Sequence, residues 1–251
     1  MHIVPTPDTL EIASHSQIQH PSFYTPMFLT LSSVLNARDL ARVLKKTGDL
    51  DWQDGARTAG GRARAVKRNL QANLRSGPGA ALHDFLMTTL SAHPVLVAAA
   101  QPARFSRLML SKTGPDGRYG RHVDNPLMGE GPDRLRTDLS FTLFLSDPAT
   151  YDGGDLVVEG VSGNHSAKPA AGDLVLYPSG DIHEVKPVTR GERLACVGWI
   201  ESRVRDAQAR TTLFELENIR ASLGAKLPPD APDHLALDKV ISNLVRRWSA
   251  G

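Results

Sequence analysis

The chain has 251 residues, of which 41% are hydrophobic and 22% charged, and its 29 basic residues nearly balance 27 acidic ones. This size predicts one domain, or one domain with an appendage, and the charge balance argues against a dedicated nucleic-acid-binding protein. The sequence has no apolar run long enough for a membrane span and no basic, apolar start typical of a signal peptide. Its single cysteine, Cys196, cannot form an intramolecular disulfide, so we expect a cytoplasmic protein with Cys196 as core filler.

The composition and periodicity of the N-terminal part of the sequence predict an arm followed by helices. Residues 1–25 are polar and contain proline, which indicates a loosely held arm. The stretch LSSVLNARDLARVLKKTG (31–48) predicts a helix that ends at Gly48 and has one apolar face, formed by Leu35, Leu40, Val43 and Leu44. A second helix is predicted within GAALHDFLMTTLSAH (79–93).

A basic segment lies between the two predicted helices. Residues 57–77 contain six basic residues and no acidic one: Arg57, Arg62, Arg64, Lys67, Arg68 and Arg75. The simpler interpretation is a solvated loop and helix face. The alternative is a surface that meets an acidic substrate or partner.

From about residue 103 to 201 the pattern changes to short alternating strands separated by turns. LSFTLFL (139–145) alternates strictly, and YDGGDLVVEG, GDLVLYP and RLACVGWI follow it. Strands at this spacing predict an antiparallel jelly roll. We expect Ser140, Thr142 and Phe144 to face the interior of this barrel. The other side of the same strand would pack outward against the helices, through Leu139, Phe141, Leu143 and Leu145.

A helical period returns after residue 202. The last helix carries an apolar stripe, which we expect to pack within the protein: Leu237, Val240, Ile241, Leu244, Val245 and Trp248. The predicted fold class is therefore α+β, with a double-stranded β-helix (jelly-roll) core, N-terminal helices packed outside it and a C-terminal helical segment. The predicted divisions are the arm (1–25), a central domain (26–201) and the C-terminal segment (202–251).

Three residues of the strand region form a candidate metal site. His122 and Asp124 are two residues apart beside a strand, and His183 follows a strand and a Pro-Ser-Gly turn about 60 residues later. Two imidazoles and one carboxylate suit a mononuclear non-haem iron site with open positions. Arg193, ten residues beyond His183, is predicted to return beside the strand of His183 and to point into the barrel. A buried guanidinium there would need an anion such as a dicarboxylate.

These residues carry a resemblance to a known family. The H-x-D, the distant His and the Arg ten residues later are the signature of Fe(II)/2-oxoglutarate-dependent dioxygenases. The blocks YGRHVDNP, RTDLSFTLFLSDPATYDGGDLVVE and PAAGDLVLYPSGDIHEVKPVTRGERLACVGWIESRVRD resemble the PKHD-type hydroxylases, bacterial relatives of the prolyl 4-hydroxylases, and so do DGARTAGGRARAVKRNLQ and the ending NLVRRW. The sequence departs from the family in its longer N-terminal arm and in LSKTGPDGRYG (110–120). Within that segment, Lys112 falls near a position where a tyrosine is common.

The resemblance implies an iron-dependent dioxygenase with three assigned ligands. His122, Asp124 and His183 would hold Fe(II), and Arg193 would pair with the far carboxylate of the co-substrate 2-oxoglutarate. Hydroxylation would release succinate and CO₂, and L-ascorbate is a candidate reductant. The substrate is left open between a peptidyl proline or lysine and a small metabolite, and so is the formation of a homo-oligomer.

A cupin-like, non-catalytic metal- or ligand-binding protein is the alternative. GDLVLYPSGDIHEVKP fits the second cupin motif except at Pro187, where that motif ends in Asn. A cupin would show H-x-H and a following Glu in its first motif, whereas Asp124 holds the second position here. Arg193 also has no role in the cupin pattern.

Overall fold

The computed structural model describes residues 28–249 with the exception of residues 59, 76 and 162. The predicted arm over residues 1–25 therefore lies outside the described residues. The helices are α1 (Ala37–Thr47), α2 (Gly77–Ala92), α3 (Pro94–Ala100), α4 (Ala207–Gly224) and α5 (Pro232–Trp248). The strands are β1 (Leu29–Leu31), β2 (Trp52–Asp54), β3 (Lys67–Arg68), β4 (Leu70–Ala72), β5 (Pro102–Phe105), β6 (Met109–Thr113), β7 (Arg118–His122), β8 (Leu127–Met128), β9 (Leu135–Arg136), β10 (Leu139–Phe144), β11 (Asp152–Gly153), β12 (Leu156–Gly160), β13 (Gly163–Ala167), β14 (Leu174–Pro178), β15 (His183–Val185), β16 (Val188–Arg190) and β17 (Arg193–Ser202).

Two antiparallel sheets form the core of the fold. The larger sheet has the order β1-β14-β10-β17-β6-β4-β2, with β5 also paired to β17. The smaller sheet has the order β13-β12-β15-β7-β3. Strands distant in sequence are neighbours in both sheets, which is the topology of a jelly roll. The predicted fold class is confirmed.

The central strand β10 separates two apolar layers, as predicted. Its outward residues Leu139, Phe141 and Leu143, together with Leu145 just after the strand, belong to one cluster with residues of α1, α2 and α3. Phe144, on the other face, packs inside the barrel with Leu156, Val158, Val175 and Tyr177. The helices thus cover the outside of the larger sheet and leave its inner face available for polar groups such as Ser140 and Thr142.

Helices α1 and α2 supply most of the outer layer. Helix α1 begins after Asn36, whose side-chain oxygen accepts a hydrogen bond from the Asp39 amide, and it ends at Thr47, with Gly48 as its C-cap. Leu44, one of the residues of the predicted apolar face, is 40% exposed. Helix α2 buries Leu82, Leu86 and Leu90, spaced four residues apart on one face. Full burial of each leucine contributes about 1.5–3 kcal/mol.

The region between α1 and α2 contains strands that the sequence did not predict. Strand β2 pairs with β4, β4 with β6, and β3 with β7, so residues 52–72 extend both sheets. The interpretation of the basic segment as a solvated loop and helix face is therefore wrong for Lys67, which is buried. Strands of two or three residues are too short to show an alternating pattern, and their pairing depends on the longer strands beside them.

Helices α4 and α5 pack against each other after the last strand. Their shared cluster contains Val204, Ala209, Leu213 and Ile241, with Leu237, Leu244, Val245 and Trp248 packed against it. The predicted stripe is confirmed except at Val240, which is 48% exposed. The division of the chain at residues 25 and 201 stays a prediction. In the part of the chain that the structure describes, no helix is long and apolar enough to cross a membrane.

Candidate metal and co-substrate site

His122 and His183 face each other across two paired strands. His122 is the last residue of β7, His183 is the first residue of β15, and the two are direct partners in the sheet register. Asp124 follows two residues after β7, and its carboxylate oxygens lie 3.8 Å from His122 Nε2 and 3.5 Å from His183 Nε2. The ligand atoms of the three residues all lie within 4.8 Å of one another. The structure thus brings together the three residues that the sequence selected.

Backbone carbonyls fix the orientation of both imidazole rings. His122 Nδ1 lies 2.8 Å from the Gly120 carbonyl oxygen, and His183 Nδ1 lies 2.9 Å from that of Asp181. A carbonyl oxygen can only accept a hydrogen bond, so each Nδ1 carries the proton and each Nε2 keeps its lone pair for a ligand. The Tyr119 ring stacks on His122 with a centroid distance of 3.5 Å. Burial, with the neighbouring His183, lowers the pKa of His122 to about 4, which keeps this ring neutral at pH 7.

Two donors hold the carboxylate of Asp124. Its Oδ2 accepts hydrogen bonds from Ser140 Oγ at 2.7 Å and from Trp199 Nε1 at 2.8 Å. The Ser140 hydroxyl also lies 2.7 Å from the Ser179 hydroxyl. The side chain of Asp124 follows a strand end rather than lying in a strand, so these contacts determine its direction. Fixed ligands of this kind require little rearrangement when a metal binds.

Arg193 is buried inside the barrel and forms no ion pair with the described residues. Its side chain leaves the first residue of β17, is 2% exposed, and lies over the Phe144 ring at 4.9 Å. Its Nε and Nη2 have no hydrogen-bond partner among the described residues, and neither has the hydroxyl of the neighbouring, fully buried Tyr151. Burial lowers the pKa of Arg193 and raises that of Tyr151. Donors left in this way can pair with an anion, because buried polar groups are normally hydrogen-bonded.

The predicted location of the Arg193 strand is wrong in one respect. Strand β17 lies in the larger sheet between β10 and β6, whereas β15 lies in the smaller sheet. Strand β16, between them in sequence, pairs with β11 and not with β15. The chain therefore crosses to the opposite sheet at Gly191, which has a φ of +73°. Arg193 faces the histidines across the barrel instead of lying beside them.

The sequence did not predict a role in the site for three residues: Lys67, Tyr151 and Trp199. Trp199 could have been found, because it is six residues beyond Arg193 on the same strand and period-2 alternation places both on the inner face. Tyr151 precedes a turn with glycines at positive φ and gives no periodic signal. Lys67 lies in a segment with several other basic residues, and no local sequence pattern distinguishes it from them. Lys112, which falls near a position where the family often has a tyrosine, lies over the Trp52 ring.

One cavity joins the three candidate metal ligands to Arg193. It is lined by the two histidines, Asp124 and Arg193, and by residues of both sheets, including Lys67 and Trp199. The two imidazoles and the carboxylate fit Fe(II), and the free donors of Arg193 fit a carboxylate.

Comparison with known proteins identifies the family. A PKHD-type hydroxylase of Hyphomonas neptunium is 46% identical over 221 residues, which are 88% of this chain and 99% of the relative. This chain belongs to the PKHD-type hydroxylases. The hydroxylase YbiX of Escherichia coli is 41% identical over 224 residues, covering 89% of this chain and 99% of that protein. The sequence profile of the 2OG-Fe(II) oxygenase superfamily matches residues 108–201.

The fold is shared with a solved structure that reaches a TM-score of 0.50. The non-haem α-ketoglutarate-dependent epimerase SnoN from nogalamycin biosynthesis has a TM-score of 0.50 and 16% identity, covering 72% of this chain and 80% of that one. A prolyl-4-hydroxylase of Pseudomonas putida has a TM-score of 0.48 and 22% identity, covering 71% of this chain and 94% of that one.

Membership of the family has consequences for the site. This PKHD-type hydroxylase is an oxidoreductase of the dioxygenase class, and its family implies Fe(II) and 2-oxoglutarate. The cupin-like, non-catalytic alternative is therefore set aside.

Proposed function

We propose that this PKHD-type hydroxylase binds Fe(II) through His122, Asp124 and His183, and 2-oxoglutarate through Arg193. It would hydroxylate a C–H bond of its substrate and release succinate and CO₂. One observation carries the proposal: a cluster of two imidazoles and a carboxylate shares a cavity with a buried guanidinium that has unsatisfied donors. The first group fits a metal, and the second fits the distal carboxylate of a dicarboxylate co-substrate.

Each residue has a distinct task in this proposal. His122 and His183 present Nε2 lone pairs because their Nδ1 protons are held by backbone carbonyls. Asp124 is kept in place by Ser140 and Trp199. Arg193 orients the co-substrate from the opposite sheet, where Phe144 and the barrel wall exclude water from the ion pair. When bound, Fe(II) and 2-oxoglutarate supply the oxidising chemistry with O₂, and the protein supplies orientation.

The substrate proposed from the sequence is a peptidyl proline or lysine, or a small metabolite. Ascorbate is proposed as the reductant that keeps the iron in its Fe(II) state. The expected cytoplasmic location also stays a prediction.

The test is an anaerobic titration of the protein with Fe(II), with and without 2-oxoglutarate. A visible charge-transfer band that requires both additions is expected, because 2-oxoglutarate bound to Fe(II) through its keto acid end absorbs in that range. Asp124→Ala should bind Fe(II) weakly and lose the band. A band of full intensity in Asp124→Ala, or none in the parent protein, would contradict the proposal.

A further inference from the structure

Lys67 places a second buried cation in the same cavity. It lies on the short strand β3 at the edge of the smaller sheet, paired with Tyr119 of β7. Lys67 is 7% exposed, and it lines the same cavity as the two histidines. The Nζ atom lies 4.9 Å from the centroid of the Tyr119 ring, and that ring stacks on His122. One aromatic ring therefore separates the ammonium group from a proposed iron ligand.

The ammonium group of Lys67 lacks an anionic partner. Its hydrogen bond goes to the Thr58 hydroxyl at 3.1 Å, and this hydroxyl in turn donates to Gln71 Oε1 at 2.6 Å. Among the described residues, no carboxylate lies within the 4.0 Å of an ion pair with Nζ. Burial outweighs the more distant Asp124 and Asp54 and lowers the pKa of Lys67 to about 8. A buried cation with only a hydroxyl and an aromatic ring beside it is costly unless an anion joins it.

The charges expected at the loaded site also leave one positive charge over. Asp124 and the two carboxylates of 2-oxoglutarate carry three negative charges, whereas Fe(II), Arg193 and Lys67 carry four positive ones. Arg193, which lies in the sheet opposite Lys67, pairs with the distal carboxylate of the co-substrate in the proposed function. Lys67 is therefore free to neutralise a group that enters with the substrate, and a single negative charge would complete the balance.

The exposed surface near Lys67 is also basic. Thr58, Gly60 and Ala63 line the cavity beside Lys67, and they belong to the basic segment. Arg57, Arg62 and Arg64, which are neighbours of these lining residues in sequence, are exposed. Exposed cations around an opening attract anions and raise their local concentration.

From these observations we propose that the substrate carries a carboxylate, and that Lys67 is the residue that recognises it. This inference rests on the proposed function, because it takes the iron and co-substrate positions as given. A carboxylate suits the site better than a phosphate dianion, since Lys67 offers one positive charge with the Thr58 hydroxyl as its neighbour. Lys67 is then a specificity-determining residue on the substrate side, distinct from Arg193 on the co-substrate side.

The experiment uses acetate as the probe and acetamide as its neutral isostere. The anaerobic complex with Fe(II) and saturating 2-oxoglutarate is titrated with each by calorimetry, at constant ionic strength maintained with chloride. We expect acetate to bind to the parent protein and acetamide not to bind. In Lys67→Met the affinity for acetate should fall by about tenfold or more, and Lys67→Arg should recover part of it because the charge is kept.

Lys112→Met is the matched control. Lys112 also lies over an aromatic ring, that of Trp52, but it does not line the cavity, so its loss should leave acetate binding unchanged. Equal binding of acetate by Lys67→Met and the parent protein would overturn the proposal, and so would equal binding of acetate and acetamide. Displacement of 2-oxoglutarate by acetate, seen as loss of the charge-transfer band, would place the anion at Arg193 and also overturn it. If the band forms in every variant, failure concerns Lys67 alone and leaves the proposed function intact.

A competition step identifies the source of the carboxylate. One arm uses free L-proline and L-lysine together with their amides, which lack the carboxylate charge but keep the amines. The other uses end-blocked proline peptides that contain Glu or, as the neutral partner, Gln. Displacement of acetate by a free amino acid but not by its amide supports a small acid. Displacement by the Glu peptide but not the Gln peptide supports an acidic peptide.

Discussion

Trp199 donates a hydrogen bond from its indole nitrogen to Asp124 Oδ2 at a distance of 2.8 Å. The two residues are 75 positions apart in the sequence, and the indole belongs to β17, the same strand that begins with Arg193. The strand therefore contacts both ends of the site: the carboxylate at the proposed metal position and the part of the cavity proposed for the co-substrate. Strand β17 belongs to the larger sheet, whereas Asp124 follows β7 of the smaller sheet. The direction of the Asp124 carboxylate therefore depends on how the two sheets are placed relative to each other.

Trp199→Phe should weaken iron binding while leaving the fold intact. The substitution keeps an aromatic ring but removes the donor, and loss of such an outer partner typically costs 10- to 100-fold in metal affinity. Anaerobic Fe(II) titration measures the change. Trp248→Phe is the matched control, because Trp248 packs in the C-terminal helices away from the cavity. Parent-like iron affinity in Trp199→Phe would show that Ser140 alone is sufficient to hold Asp124.

Arg193→Ala should weaken 2-oxoglutarate binding without affecting iron binding. The substitution strands a carboxylate in a buried pocket, which costs roughly 2–5 kcal/mol, or about 30- to several-thousand-fold in affinity. Arg193→Lys should be intermediate, because it keeps the charge but loses the two-pronged geometry. The co-substrate dependence of the charge-transfer band is the measurement. Unchanged dependence in Arg193→Ala would remove Arg193 from the site.

Tyr151→Phe should reduce co-substrate affinity less than the Arg193 substitutions do. The Tyr151 hydroxyl has no partner among the described residues, so it is free to donate to a bound carboxylate. We expect a loss of about 1–2 kcal/mol, roughly 5- to 30-fold in affinity. The free energy of unfolding of the co-substrate-free protein should not fall, since no hydrogen bond is lost in that state. A loss of stability with unchanged 2-oxoglutarate affinity would assign the hydroxyl to folding instead.

The sequence predicted the parts of the fold whose patterns are long enough to read. Strand β10 has six residues, and its alternation gave both its existence and the direction of Phe141 and Phe144 correctly. Strands β3 and β4 have two and three residues, and only their pairing with β7 and β6 makes them strands. Local pattern cannot supply this pairing, because it depends on residues distant in sequence.

The residues of the candidate site also fall into those that the sequence predicts and those that it does not. His122, Asp124, His183 and Arg193 are recognisable because their spacing is a motif, and the structure places all four in one cavity. The burial of Lys67 was not predictable, since five arginines of the same segment have the same local context. Only the register with Tyr119 turns this one side chain inward.

Cys196 should be unreactive in the folded protein. It is fully buried on the outer face of β17, and burial raises the pKa of its thiol to about 12. A thiol with this pKa is about one part in ten thousand thiolate at pH 8, and the thiolate is the reactive form. A thiol reagent at pH 8 should therefore label no cysteine in the native protein and one in denaturant. Stoichiometric labelling of the native protein would contradict the burial of this strand.

Gly154→Ala tests whether the packing around Arg193 matters for the co-substrate. Gly154 has a φ of +69°, and an added Cβ would lie 3.0 Å from atoms of three side chains, those of Arg193, Tyr151 and Val188. We expect roughly a tenfold or larger loss of 2-oxoglutarate affinity, because a small displacement of the guanidinium disturbs a two-pronged contact. Gly131→Ala is the matched control: Gly131 also has a positive φ, +54°, but an added Cβ there meets nothing within 4 Å. Both variants should lose about 1–2 kcal/mol in the free energy of unfolding from backbone strain, as measured by urea denaturation. Only Gly154→Ala should change the co-substrate titration, and an equal effect of the two substitutions on it would show that the change reflects general destabilisation and not the position of Arg193.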